Sequence, residues 1–276
     1  TPKPSSAASD VYKRQSLIQG VTEFLPVSSS GHLILLPSLM GLQDQGAVID
    51  VAAHIGTLLA VIIYFWSDVK FTLKGIPELL KGHHASPPAR LFIALSLATI
   101  PVIFIGGILK VTGMSDAMRS ITVIGWSMLI FGILLYWSDQ RAVLNRNMET
   151  LTWTDAIKLG MWQAIALIPG TSRSGITITG ALWAGFTRKE AARISMLMSI
   201  PTIIASGSLT ALDLIEQSFL ITETMLVILF SFFSALVALS LMMRLLHTLS
   251  YTPYVIYRII LGLFLLFIGY TGGLGL

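Results

Sequence analysis

Cysteine is absent from the 276 residues, which excludes disulfide frameworks and thiolate metal sites. Charge is scarce too. Asp, Glu, Lys and Arg make up 12% of the chain against 54% hydrophobic residues, and the mean hydropathy is +0.78. That balance excludes an ordinary soluble domain. The formal net charge of +4 would suit a nucleic-acid partner, but the basic residues lie in loops between apolar spans, so no nucleic acid is expected. The chain reads as an integral membrane protein with membrane lipid around it.

What polar chemistry there is gathers in one stretch, Gln19-Gly-Val-Thr-Glu23-Phe-Leu-Pro26-Val-Ser28-Ser29-Ser30-Gly31-His32. Gln19 and Glu23 are four apart, so a helix puts both on one face. Pro26 removes a backbone donor and disfavours helix at Leu25, which predicts that a helix ends there. Ser28, Ser29 and Ser30 then offer N-cap chemistry to a second helix beginning near Gly31. Within a membrane, such a break survives only where protein or a water-filled cavity surrounds it.

Residues 1–15 are polar and are set aside as a leader; residues 16–276 form a single polytopic membrane domain. Apolar runs at 47–66, 90–109, 119–137, 188–212, 223–243 and 254–273 are each long enough to cross a bilayer, given about 20 residues per crossing. Residues 67–89 and 138–153 read as polar loops. Residues 16–40 and 154–185 are interrupted segments. Asp50 is expected to be solvated near the outer end of its span, and His54, alone on that apolar run, to be structural or cavity-lining.

Loop charge orients the chain. One side collects Lys70, Lys74, Lys81, Arg90, Arg141, Arg146, Lys158, Arg188, Lys189, Arg193, Arg244 and Arg258, whereas the other, residues 1–15 aside, holds only Lys110 and Arg119. This positive-inside bias places the first side in the cytoplasm. The interrupted segments must then enter from opposite faces. The expected fold is all-α: six transmembrane helices plus two oppositely oriented re-entrant helical hairpins, an inverted-topology repeat with halves at 16–137 and 154–276. Gln163 precedes Pro169-Gly-Thr171-Ser172-Arg173-Ser174-Gly175 much as Gln19 precedes Pro26-Val-Ser28-Ser29-Ser30-Gly31. Two such breaks place a site at the repeat interface.

Arg173 is the one cation expected inside the membrane slab away from a loop, and such residues face a cavity or an anion. With Thr171, Ser172 and Ser174 beside it, at a helix start, it suits phosphate oxygens. Glu23 adds a carboxylate, His32 an imidazole active near neutral pH, and the serines nucleophilic hydroxyls. Together they fit phosphoryl transfer, which needs positioning and charge neutralisation. Glu23 could also hold a hard divalent cation, Mg²⁺ or Ca²⁺. Plainer readings stand beside these. Glu23 and Arg173 also make a structural ion pair, the serines also make helix caps, and His32 also makes a hydrogen-bonded helix histidine.

At these two motifs the sequence resembles the bacterial undecaprenyl-diphosphate phosphatase family, linked to bacitracin resistance. The resemblance runs from about residue 16 to the C-terminus. It implies hydrolysis of an isoprenoid diphosphate lipid to its monophosphate at the outer face of the bacterial plasma membrane, recycling the carrier for cell-wall synthesis. By the same resemblance Ser29 is the nucleophile, with Ser30 beside it, His32 the family's imidazole and Arg173 the phosphate clamp; direct attack by activated water, or by His32, stands as the alternative. Gln19 stands where the family has Glu or Gln, and Glu23 then carries more of the metal and proton chemistry. Gln19, Ser28, Ser30, Thr171, Ser172 and Ser174 are the expected substrate-binding set, and a homodimer is the self-association allowed for. The competing reading is a transporter or lipid flippase, since broken helices in inverted repeats also mark transporters.

Overall fold

A computed structural model describes residues 6–33, 47–141, 143–213 and 221–271. The described residues are overwhelmingly helical, without strands. The principal helices are α1 (Ser6–Phe24), α2 (Ala47–Tyr64), α3 (Trp66–Leu73), α4 (Pro87–Thr112), α5 (Ile121–Arg141), α6 (Trp153–Ile165), α7 (Arg173–Trp183), α8 (Arg188–Asp213), α9 (Ile221–Leu245) and α10 (Thr252–Thr271). Among the described residues, Pro87–Thr112, Ile121–Arg141, Thr222–Leu245 and Thr252–Thr271 are long and apolar enough to cross a membrane. A fifth crossing arises if Val48–Tyr64 and Trp66–Leu80, bent by 85° at Phe65, count as one. The chain is a multi-pass membrane protein. Large apolar side chains such as Phe104, Ile260, Phe267 and Tyr270 point outward, as a lipid solvent permits.

Two boundaries differ from the sequence reading. Helix α1 begins at Ser6, inside the polar stretch set aside as a leader. Gln15 and Ser16 are buried; Gln15 Nε2 donates to Asp50 Oδ1 at 3.1 Å, and Ser16 Oγ to the Lys13 carbonyl at 2.9 Å. Asp50 is therefore hydrogen-bonded to α1, not merely solvated. Tertiary partners satisfy these polar groups, which hydropathy alone cannot register. Residues 67–89 are not a plain loop either. They carry α3 and a short helix, Gly75–Leu80, and α4 then starts at Pro87, where a missing N–H costs nothing. Residues 34–40 of the first interrupted segment lie outside the described residues.

Small residues let the helices close on one another. A Cβ on Gly20 would sit 1.9 Å from Ser234 Oγ, and one on Gly56 would sit 2.0 Å from Ser231 Oγ. Helices α1 and α2 therefore press their backbones against α9, the packing mode that membrane helices use where apolar burial offers little drive. Helix α4 packs on α6 and α5 on α10, while α7 lies against α5, α6 and α8.

Several cations assigned to the cytoplasmic loops are anchored by acids. Arg188 Nε donates to Asp139 Oδ1 at 2.5 Å, and the Tyr251 N–H donates to Asp139 Oδ2 at 3.0 Å. Arg193 pairs with Asp68. Arg146 Nη2 donates to Asp155 Oδ2 at 2.6 Å beside the Thr152–Asp155 capping box. Burial alone would raise the Asp155 carboxyl, but the hydrogen bonds from Arg146 and Thr152 outweigh it and hold it below the usual carboxylate range. Arg258 is held without an acid among the described residues. It lies within α10 and is fully buried.

Candidate active site

Helix α1 ends at Phe24, a turn covers Leu25–Val27, and helix resumes at Ser29. Pro26 accounts for the stop, as its spacing predicts. The second break, between α6 and α7, has the same form, and the two share an unusual backbone feature. Ser28 (φ 72°) and Ser172 (φ 69°) are the non-glycine residues with positive φ among the described residues. Left-handed backbone costs an L-residue roughly 1–2 kcal/mol and collects at functional sites. Gln19 precedes Ser28 by the same interval as Gln163 precedes Ser172, so the strain falls at matching points of the two motifs.

The breaks are stitched to each other reciprocally. The Gly170 N–H donates to Ser30 Oγ at 3.1 Å, and Ser174 Oγ donates to the Leu25 carbonyl at 2.9 Å. Ser30 Oγ also pairs with Ser28 Oγ at 3.0 Å, and Ser174 Oγ with Ser172 Oγ at 3.2 Å. Ser172 caps α7 by accepting from the Gly175 N–H at 3.1 Å. Ser28, Ser30, Ser172 and Ser174 thus hold the turns in place.

That framework brings Glu23 and Arg173 together across 150 residues of chain. Arg173 Nη2 donates to Glu23 Oε1 at 2.9 Å, with both side chains largely buried. The other carboxylate oxygen, Oε2, accepts from Gln19 Nε2 at 2.8 Å and lies 3.4 Å from Ser29 Oγ. Ser29 is the serine of the run that faces the acid. Three buried atoms here lack a partner among the described residues: Arg173 Nη1, Gln19 Oε1 and Thr171 Oγ1. A buried donor on a cation and buried acceptors are costly to leave empty. Their types, a guanidinium N–H, an amide oxygen and a hydroxyl, match an anion and a cation bound side by side.

His54, passed over as a lone span histidine, joins this cluster. Its Nε2 lies 4.0 Å from Glu23 Oε2 and 3.4 Å from Gln19 Nε2. Its Nδ1 must donate to the Asp50 carbonyl at 2.7 Å, since a carbonyl only accepts. In a neutral ring Nε2 is then the bare nitrogen, and it faces Gln19 and Glu23. The available signal was the pair Asp50 and His54, one turn apart on α2, matching Gln15 and Gln19, one turn apart on α1. The pairs meet rung by rung in the same order, so α1 and α2 run in the same direction.

His32 stands apart from the Glu23 cluster. Its Nδ1 donates to the Ser28 carbonyl at 2.7 Å, and its Nε2 meets the Tyr257 hydroxyl at 2.6 Å. Arg258, on α10, is a second buried cation at the breaks. Its Nη2 donates to the carbonyls of Thr171 at 2.8 Å and Gly170 at 3.2 Å. Sequence reasoning missed Tyr257 and Arg258 because their roles depend on contacts nearly ninety residues or more away.

Metal binding must be judged on the donors. Among the described residues no three His, Asp or Glu side chains gather as a ready-made metal site. Glu23 nevertheless supplies a carboxylate, and the unpartnered Gln19 Oε1 an amide oxygen one turn away on α1. A Mg²⁺-type ion commonly takes one or two carboxylates and completes its shell with water and substrate phosphates. The donor set fits a cation bound jointly with a phosphate, and not a preformed cage.

An apolar groove of about 540 Å³ opens between the end of α1, α9 and the start of α10. Val21 and Leu25 of the first motif form one wall, and Phe233, Val237, Leu241 and Tyr254 are among the residues opposite.

A family model described as bacitracin resistance protein BacA matches residues 15–264. The undecaprenyl-diphosphatase of Ruegeria pomeroyi is 59% identical over 258 residues, covering 93% of this chain and 97% of that one. That of Jannaschia sp. is 56% identical over the same coverage. The undecaprenyl-diphosphatase of Chromohalobacter salexigens is 44% identical over 91% of this chain and 95% of its own.

Proposed function

The chain belongs to the bacitracin resistance protein BacA family, and on that premise we propose that it hydrolyses undecaprenyl diphosphate to undecaprenyl phosphate and inorganic phosphate. The observation that carries the chemistry is Arg173 Nη1, a buried donor without a partner beside the Glu23–Ser29 contact.

Ser29 Oγ attacks the terminal phosphorus, forming a phosphoserine. The bridging P–O bond breaks and leaves with the lipid monophosphate. Glu23 Oε2, 3.4 Å away, is placed to take the serine proton. His54 Nε2 stands behind it as the next acceptor. Arg173, with Thr171 at the start of α7, holds the non-bridging oxygens where charge collects. Water then attacks the phosphoserine, and inorganic phosphate leaves. Glu23 and Gln19 Oε1 would hold the divalent cation, Mg²⁺ or Ca²⁺, and such an ion supplies charge neutralisation on the diphosphate. Ser29 Oγ meets Glu23 Oε2, whereas both ring nitrogens of His32 are taken by the Ser28 carbonyl and the Tyr257 hydroxyl, which favours Glu23 over His32 as the base.

The topology we propose has six spans and two re-entrant hairpins in inverted repeats, in the bacterial inner membrane with the site open to the periplasmic side. Parallel α1 and α2 support it, because two helices that enter from one face run in the same direction. The reciprocal Ser30–Gly170 and Ser174–Leu25 bonds join the proposed halves. The lipid tail runs along the groove beside Leu25, whose volume falls in the range of small-molecule sites. Leu241→Trp, which narrows the groove, is expected to raise KM for undecaprenyl diphosphate about tenfold with kcat unchanged, since binding alone is lost. A KM equal to wild type would place the tail elsewhere.

The decisive experiment is phosphate release by the purified protein in detergent, where no transport occurs. Release from undecaprenyl diphosphate, cut at least about tenfold by a chelator and restored by Mg²⁺ or Ca²⁺, is the expected result. No release from folded protein overturns the phosphatase reading in favour of a transporter, and chelator-insensitive release removes the cation from it.

A further inference from the structure

One helix outside the two motifs reaches both of them with adjacent residues. A helix turns about 100° per residue, so neighbours face different surroundings. On α10, Tyr257 meets His32 of the first break and Arg258 meets Gly170 and Thr171 of the second.

Arg258 is the more telling of the pair. It is fully buried, no carboxylate pairs with it among the described residues, and its Nε and Nη1 have no partner. Among the described residues its hydrogen bonding, two bonds from Nη2, goes to the carbonyls of Gly170 and Thr171, the two residues before Ser172 and Arg173. Glycines clear its path. A Cβ on Gly175 would lie 2.7 Å from Nη1, and one on Gly132 would lie 3.5 Å from Nε. Bulk alone does not require a cation here. At the first break the corresponding glycine, Gly31, is met by an apolar side chain, with a Cβ there 2.8 Å from Met128 Sδ. A buried, unpaired arginine weakens a fold, and an apolar replacement of similar size is often neutral or stabilising. Arg258 therefore serves the loop that it grips.

Tyr257 acts on the other break. His32 Nδ1 is committed to the Ser28 carbonyl, so in the neutral ring Nε2 accepts from the Tyr257 hydroxyl. The two rings also stack, with centroids 5.5 Å apart and planes within 5°. The hydroxyl fixes the ring's tautomer, while His32 in turn holds the carbonyl of the strained Ser28.

We infer that Tyr257 and Arg258 are a positioning pair: one helix holds both turns of the active site, and Arg258 sets the place of Arg173 opposite Glu23. The inference rests on the phosphatase reading for its kinetic consequence, though not for its structural one.

The test uses Arg258→Met and Arg258→Lys, assayed for phosphate release and thermal stability. The chain has no cysteine, so Thr171→Cys gives a single thiol at a buried point of the gripped loop. Maleimide labelling of that thiol in each background reads loop position without any turnover. Arg258→Met is expected to melt no lower than wild type, to lose about a hundredfold in kcat with KM within about twofold, and to label at least about tenfold faster. Arg258→Lys keeps a cationic donor and is expected to recover most of both readouts. Tyr257→Phe is expected to lower kcat about tenfold with stability unchanged. Wild-type kcat and labelling in Arg258→Met would overturn the role of Arg258, and wild-type kcat in Tyr257→Phe that of Tyr257. If wild type releases no phosphate, the phosphatase reading fails, and the labelling rates still decide whether Arg258 holds the loop.

Discussion

Arg173→Ala is expected to lower kcat by roughly 10³-fold or more, the scale for an arginine that stabilises a transferring phosphoryl group. The geometry explains the size. Arg173 Nη2 is held by Glu23, which aims the guanidinium and leaves buried Nη1 for a non-bridging oxygen. Removing the side chain deletes the clamp and strips Glu23 of the cation that faces it. Breaking one side of a buried pair costs about 3–5 kcal/mol, so a fall in melting temperature accompanies the loss. Arg173→Lys separates the two effects. It keeps a positive charge near Glu23 but lacks the planar fork, so the protein stays folded while kcat remains about a hundredfold down. An alanine variant with near-normal release, measured on protein whose circular dichroism matches wild type, would leave Glu23–Arg173 as a structural pair and nothing more.

How much of this was legible beforehand depended on whether the relevant partner was near in sequence. Glu23, Arg173 and the serine run stood out because polar residues are conspicuous in a chain with 12% charge. Their meeting followed from two similar motifs and the expectation that two such breaks place a site at the repeat interface. The long apolar helices were equally plain, since burial in lipid selects for uninterrupted runs. Helices that earn stability from tertiary contacts were not. Helix α1 starts in a polar stretch and is tied to α2 by bonds such as Gln15 to Asp50, and α3 is a short helix, neither of which hydropathy registers.

The same distinction applies within the site. His54 is a single imidazole on an apolar span, and its meaning comes from α1, whose Gln19 and Glu23 face it. Arg258, six residues into α10, was counted with the loop cations because charge near a helix end usually marks the membrane edge. Its burial follows from Gly132 and Gly175, whose missing side chains make room for it. The serines divided in a way that spacing could not foresee. Ser172 does cap its helix, but Ser30 and Ser174 cross to the opposite break, and Ser29 alone of the first run contacts the acid. The positive φ of Ser28 and Ser172 sets this division by turning the chain so that successive hydroxyls face different partners.

Glu23→Gln is the substitution that separates charge from shape, and it should be as damaging as loss of the arginine. The amide keeps the length and an oxygen for Arg173, so packing between the breaks is preserved. Its NH₂ group, however, meets Gln19 Nε2 and Ser29 Oγ where a carboxylate accepted from both. Ser29 then has no base within reach, and general-base catalysis is worth about 10²–10⁴-fold. The amide is also a poor ligand for a divalent cation beside Gln19, so residual release should no longer respond to a chelator. Glu23→Asp keeps the charge on a side chain one methylene shorter. It should retain chelator sensitivity while losing about a hundredfold in kcat through misplacement. Loss of both rate and chelator response in the glutamine variant, with only rate lost in the aspartate variant, assigns proton acceptance and cation binding to the one carboxylate. A glutamine variant that keeps its chelator response at low rate would confine Glu23 to the proton. With few other acids near, the cation would then rest on Gln19 Oε1 and the substrate's own phosphates.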